Sequence, residues 1–128
     1  MILLLDTNRL SEKRRKCVPE GVVVGQLMTP TSHRRNWARE DGLPWGIDNA
    51  AFAGFRREDF ERMLRKEGAS SEGCAFAVAP DVVGSARRTL EVFRWWRDRI
   101  AGLGLPVALA SQDGIADLDV PWDDVGIG

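Results

Sequence analysis

Tyrosine is absent from this chain of 128 residues, histidine occurs once (His33), and there are two cysteines, Cys17 and Cys74. Neither cysteine lies in a C-x-x-C, which excludes a disulfide framework and a cysteine-rich zinc site and suits a reducing compartment. A single histidine in a basic loop, beside Arg34 and Arg35, is expected to face solvent or phosphate and not to bind a metal. Long apolar runs are also missing. The first stops at Leu5 before Asp6, too short for a signal peptide or a membrane span, so no membrane partner and a cytoplasmic location are expected. No low-complexity tract occurs. Apolar residues make up 44% and charged residues 29% of the chain, which excludes disorder and leaves one globular domain over residues 1–128.

Net charge is only −1, but it is unevenly placed. Residues 1–40 carry eight Lys/Arg against four acids, whereas residues 111–128 carry five aspartates and no base. A basic front can meet phosphate while an acidic back presents carboxylates; a solvated basic loop is the plainer reading.

The order of patterns is strand–loop–strand–helix–strand–helix–strand. Residues 21–28 are β-rich and end at Thr29-Pro30. Residues 31–44 are polar, basic and punctuated by Gly42 and Pro44, which predicts a long loop. Trp45-Gly-Ile-Asp48 reads as a short strand. Residues 56–66 read as a helix, with Phe60, Met63 and Leu64 on one face. The apolar runs 74–79 and 106–110 have strand length, and residues 84–101 between them form the strongest helical pattern, with Ala86, Leu90, Phe93 and Ile100 aligned. A helical turn is expected over residues 115–118, and residues 125–128 begin a further strand. Apolar strands alternating with helices imply βαβ units and a parallel sheet.

The residue after each strand carries the chemistry. Asp48, Asp81 and Gln112 follow successive strands, separated by 33 and 31 positions, about one βα unit. All strand C-termini of a parallel α/β sheet or barrel open onto one face, and that face holds the active site. Strand-end Asp residues also cap the following helix, and Asp81 alone fits that role; three such residues at a repeating interval fit it less well.

These residues carry a resemblance. Trp45-Gly-Ile-Asp-Asn-Ala-Ala-Phe52 resembles the Asp-Ser-Gly-Gly-Phe signature of the tRNA-guanine transglycosylases (queuine tRNA-ribosyltransferases), and more closely the Asp-Asn-Gly-Ala-Phe version of their phage and bacterial relatives linked to 7-deazaguanine modification of DNA. Ala79-Pro-Asp-Val-Val83 resembles the family's second aspartate motif, Ala110-Ser-Gln-Asp-Gly114 its Gln-Gly-Gly element, and Val125-Gly-Ile-Gly128 the start of its Ile-Gly-Gly strand end. The set runs in order from about Gly21 to Gly128. The resemblance implies a (β/α) barrel of TIM type that exchanges guanine in DNA or tRNA for a deazaguanine. Asp48 would act beside the glycosidic bond as an acid/base group. Asp81 would hold the guanine edge, and Gln112, with the Gly126 to Gly128 backbone, would face the carbonyl oxygen. Asp113 stands where transglycosylases have glycine, and Ala50-Ala51 replaces a glycine-rich turn. The family's nucleophilic aspartate and zinc-binding cysteines have no counterpart among these residues. The chain is therefore expected to be the N-terminal half to two-thirds of a barrel, inactive in transglycosylation alone. On this reading no cofactor is implied and no residue is nominated as a metal ligand.

Elementary chemistry agrees with those roles. Guanine's pairing edge offers two adjacent donors that one carboxylate accepts, and its O6 takes a donor such as a Gln amide or a backbone N–H. A base within a helix must first be flipped out. Phe52 or Trp45 would stack on the base or else belong to the core. Arg34, Arg35 and Arg39 are candidate phosphate contacts with steep salt dependence. Trp95-Trp96 is read as helix packing.

Two other readings remain. Ile2-Leu-Leu-Leu-Asp6-Thr7-Asn8 resembles the first strand of PIN-domain ribonucleases, whose Mg²⁺ site needs three or four acids; Asp6, Glu40, Asp81 and Asp113 are the nominees, although no helical pattern follows Asn8. Alternatively, the chain is a non-catalytic remnant that binds a base or nucleic acid, or pairs with another copy, because a half-barrel leaves edges and apolar faces uncovered.

Overall fold

The computed structural model describes residues 1–31 and 35–125. Its five strands are β1 (Ile2–Leu5), β2 (Val23–Met28), β3 (Trp45–Ile47), β4 (Cys74–Val78) and β5 (Val107–Ala108). They form one sheet in the order β1-β2-β3-β4-β5, and every pair is parallel. The order follows the sequence without reversal, so right-handed crossovers place the connecting helices on one face. Each crossover carries helix: α1 (Glu12–Lys16), α2 (Trp37–Glu40), then α3 (Ala51–Gly54) with α4 (Arg57–Gly68), and α5 (Ala86–Gly102). Two 3-10 turns, Ile115–Asp117 and Trp122–Asp124, follow β5.

The pairing is staggered. β1 pairs with the first four residues of β2, but β3 pairs with its last three, Gln26 to Met28. A bulge at Trp45/Gly46 shifts the β3–β4 register, and β5 pairs only with the last two residues of β4. The sheet thus advances toward its C-terminal edge from β1 to β5.

Helix α4 buries Phe60, Met63, Leu64 and Glu67, and α5 buries Leu90, Phe93, Trp96 and Ile100. These pack with Val24, Met28, Trp45, Ile47 and Ala77 in one core. Phe60 and Trp96 meet edge to face at 5.4 Å between ring centroids. The alternate sheet residues are less covered: Val23 is exposed, and Leu27, Phe76 and Val78 are half-buried. Gly25 and Gly46 are needed by this packing. A Cβ on Gly25 would stand 2.0 Å from the Pro44 carbonyl oxygen, and one on Gly46 would stand 2.9 Å from the Phe76 ring.

Most elements lie where the sequence pattern puts them, but the four-strand pattern lacks β1 (Ile2–Leu5), and the short helix α3 (Ala51–Gly54) was not expected either. The expected loop over residues 31–44 contains α2, whose Trp37 and Ala38 are buried. Its anchors are polar and lie far away in sequence: Trp37 Nε1 donates to the Thr7 carbonyl at 2.7 Å, and buried Gln26 Nε2 donates to the Arg35 carbonyl at 2.8 Å. The basic stretch after Asn8 also forms a helix, α1, which Ser11 caps by accepting from the Arg14 N–H. The strand start expected over residues 125–128 lies beyond the described residues except for Val125. No helix among the described residues is long and apolar enough to cross a membrane.

Candidate functional site

Strands β3, β4 and β5 end side by side, and the segments leaving them are joined by side-chain hydrogen bonds. Asp81, three residues beyond β4, is the hub. Its Oδ1 accepts from Asn49 Nδ2 at 2.8 Å and its Oδ2 from Gln112 Nε2 at 2.9 Å. Asn49 Nδ2 also donates to the Ala79 carbonyl at 2.9 Å, while Gln112 Oε1 accepts from the Gly84 N–H at 3.0 Å. That second bond fixes which end of the Gln112 amide faces Asp81. Thr89, buried on α5, accepts from the Val82 N–H and donates to the Val82 carbonyl, which clamps the turn after Asp81.

The helix-cap reading of Asp81 fails. Ser85 caps α5, accepting from the Arg88 N–H, and the Asp81 carboxylate is occupied by amides from two neighbouring strands. Each carboxylate oxygen has a second lone pair, so two further donors fit the same group.

Asp48 directly follows β3, its N–H bonded to the Met28 carbonyl at 2.8 Å. Its Oδ2 accepts from the Ala50 N–H at 3.1 Å, and no other bond to its carboxylate is found among the described residues. Asn49, 2% exposed, accepts the Ala51 N–H at 2.7 Å through Oδ1. Between these two turns Ala50 takes φ 59°, ψ 28°, the one positive φ outside glycine among the described residues. Left-handed backbone costs a residue with a Cβ about 1–2 kcal/mol, and such positions persist where surrounding bonds impose them. Here the Asp48 and Asn49 side chains do so.

Phe52 lies on α3, two residues beyond Ala50, and is 93% exposed. It is not a core residue. Trp45 is the core residue of the pair: fully buried at the opposite end of β3, it donates Nε1 to the Glu72 carbonyl at 2.8 Å and cannot stack at the strand C-termini. Asp113 is exposed beside Gln112 and takes no part in the network. Gly126 and Gly128 lie outside the described residues.

Of the basic candidates, the described ones, Arg35 and Arg39, bond to acids that are not part of this network. Arg34 and His33 lie outside the described residues. The exposed Arg35 donates to Glu40 through Nε at 2.8 Å and through Nη2, and this guanidinium holds the Glu40 carboxyl below its ordinary range. Arg39 serves the opposite end of the sheet: Nη1 donates to fully buried Glu67 at 2.6 Å and to the Ser70 carbonyl at 3.0 Å, and its guanidinium lies 5.7 Å from the centroid of the Trp45 ring. Trp96 packs inside, whereas exposed Trp95 is covered by Arg99 and Arg57, 4.0 and 4.8 Å from its ring centroid.

The four acids nominated for Mg²⁺ are also dispersed. Asp6 follows Leu5, the last residue of β1, which pairs with Gln26, Glu40 is paired with Arg35, and Asp113 is apart from Asp81's bonds. Among the described residues no group of three His, Cys, Asp or Glu is placed to hold a metal ion. Sequence reasoning missed Asn49, Gly84 and Thr89. Asn49 was visible beside Asp48, but nothing in the sequence indicates that its amide crosses to the next strand. Set against protein-family models, curated proteins and solved structures, the chain matches none.

Proposed function

We propose that the C-terminal edge formed by Asp48, Asn49, Asp81 and Gln112 recognises the pairing edge of a guanine-type base, and that the chain is related to the transglycosylases that exchange guanine for 7-deazaguanine. The observation that carries this reading is Asp81, a carboxylate held between two side-chain amides at the ends of adjacent parallel strands. A group fixed in this way, with lone pairs to spare, suits the two parallel donors N1–H and the exocyclic amine. Guanine and 7-deazaguanine share that edge, so Asp81 accepts both. The remaining Gln112 Nε2 hydrogen is available to the base O6. Asp48, with one carboxylate oxygen committed to Ala50, is assigned the acid/base role beside the glycosidic bond. Exposed Phe52 is assigned to stacking. No nucleophile is assigned among the described residues.

Three features support a (β/α) barrel as the wider architecture: strand order that follows the sequence, helices on one face, and a stagger that advances in one direction, as barrel closure requires. Delivery of the base by DNA or tRNA rests on the resemblance, since Arg35 and Arg39 are committed to Glu40 and Glu67.

Equilibrium binding of free guanine and 7-deazaguanine to the whole chain tests the reading. Both are expected to bind, with adenine much weaker because it presents the wrong donor pattern. Asp81→Asn replaces an acceptor by a donor and is expected to weaken guanine about 10- to 100-fold, the value of hydrogen bonds to a charged group. Equal binding of adenine, or an Asp81→Asn chain that is folded and binds guanine as before, refutes it.

A further inference from the structure

The two edges of the sheet differ in shape and in charge. At the β1 edge, on the helix side, α1 is too short to cover the strand, and a groove of about 630 Å³ is left open. Leu3, Leu10, Val18 and Val22 line it, together with two cations, Lys13 and Arg14, and one acid, Asp6. At the other edge, the segment after β5 folds against α5, with Arg94 Nη2 donating to the Asp119 carbonyl at 3.1 Å and Leu118 packed onto the core. This segment presents Trp122, 63% exposed, among the exposed Asp117, Asp119 and Asp123. One edge is an apolar groove with a net positive lining, and the other carries an exposed indole on a segment whose charged residues are all aspartates.

We propose that the β1 edge binds the Trp122 segment of a second copy of this chain, and that two copies pair reciprocally, each β1 edge meeting its partner's β5 edge. The occupant is identified by charge complementarity and by shape. Lys13 and Arg14 face acids only if the incoming segment is the acidic one, and Trp is among the residues enriched as buried interface anchors. Reciprocal pairing also uses both ends of the sheet. Strands β1 and β5 each have one unpaired side among the described residues, and exposed edges of this kind associate with other strands. A head-to-tail contact repeated twice closes into a two-fold dimer and satisfies every such edge, whereas one that does not close gives a filament. None of these residues belongs to the base site, so the dimer and the base reading fail separately.

Sedimentation of the whole chain tests the proposal. A species of twice 14.2 kDa is expected at about 100 μM, with dissociation promoted by salt. Trp122→Ala is expected to weaken association about thirty-fold, as loss of an interface anchor does. Two charge reversals supply the decisive comparison. Lys13→Glu with Arg14→Glu makes both edges acidic, and Asp117→Lys with Asp119→Lys makes both basic, so each variant alone is expected to be monomeric. Mixed together they restore opposite charges at both contacts and are expected to form a heterodimer. All four positions are exposed, and circular dichroism verifies that each variant is folded. A wild-type monomer at that concentration, an open-ended polymer, a dimer indifferent to Trp122→Ala, or no heterodimer from the mixture overturns the proposal.

Discussion

Replacing Arg39 with Ala separates a structural cation from a phosphate-binding one. Arg39 reaches Glu67, whose side chain is fully buried, while its own is 27% exposed. Removing one partner of a buried ion pair costs about 3–5 kcal/mol because the other charge stays in a poor solvent. The partial exposure of Arg39 and the Asn36 Nδ2 donor to Glu67 at 3.0 Å reduce that figure, whereas the lost contact with Trp45 adds about 0.5–1 kcal/mol. The expected net loss is about 3 kcal/mol, a large share of the roughly 5–15 kcal/mol that holds a domain together. Urea denaturation measures it, with an unchanged slope showing that the native and unfolded states are otherwise alike. Adding Glu67→Gln to Arg39→Ala neutralises the stranded carboxylate and is expected to recover at least about 1 kcal/mol. A loss below about 1 kcal/mol in Arg39→Ala, accompanied by weaker and less salt-dependent binding of DNA or tRNA, would show that the side chain serves phosphate after all.

Other perturbations probe the site and the sheet. Phe52→Ala is expected to leave stability within about 0.5 kcal/mol while weakening base binding by the 1–3 kcal/mol of a stacked base; equal binding by the two chains removes Phe52 from the site. Gly25→Ala drives a Cβ into the Pro44 carbonyl oxygen and is expected to cost at least the roughly 1–3 kcal/mol of overpacking, read as a lower melting temperature. Burial pushes the Cys74 thiol up to about 12 from 9.0, so at pH 8 exposed Cys17 is expected to be alkylated first and Cys74 far more slowly in the folded chain. The same shift has a sign in stability. Folded Cys74 keeps its proton where the unfolded thiol has lost it, so its contribution is complete below pH 9 and is lost as pH rises toward 12. Cys74→Ala is expected to flatten that part of the pH profile, and an unchanged slope would assign it to other groups.

Four of the five strands were legible because they announce themselves locally, whereas β1, four residues long, was not counted among them. Cys74 to Val78 is uninterrupted apolar sequence, and α4 and α5 repeat their apolar residues at helical spacing. The helix α2 was not legible, since Trp37 and Ala38 are flanked by charge and are buried by partners such as Thr7 and Gln26 that lie 30 and 12 positions away. The same limit applies at the site. Asp48, Asp81 and Gln112 stood out by their interval, a property of the βα repeat. Asn49 did not, because its role depends on a bond to Asp81 32 residues away. The pairing of Arg39 was not legible for a related reason: nothing in a basic run shows that a buried acid, here Glu67, 28 positions away, bonds one of its members.

The departures from ordinary folding economy are concentrated at one place. Ala50 is held left-handed where glycine would be unstrained, Asn49 is buried with its amide directed at a carboxylate, and three strand ends are tied together by polar side chains instead of being packed with apolar ones. Stability alone calls for none of this. A glycine at position 50 relieves the backbone, and apolar residues at 49 and 112 avoid the desolvation of two amides. Sequences break such local rules chiefly where function demands a fixed geometry. The opposite end of the sheet has its own polar pair, Arg39 and buried Glu67, but among the described residues no residue other than glycine has a positive φ there. The contrast between the two ends is the physical ground for proposing recognition at the strand C-termini and not at the Arg39–Glu67 end.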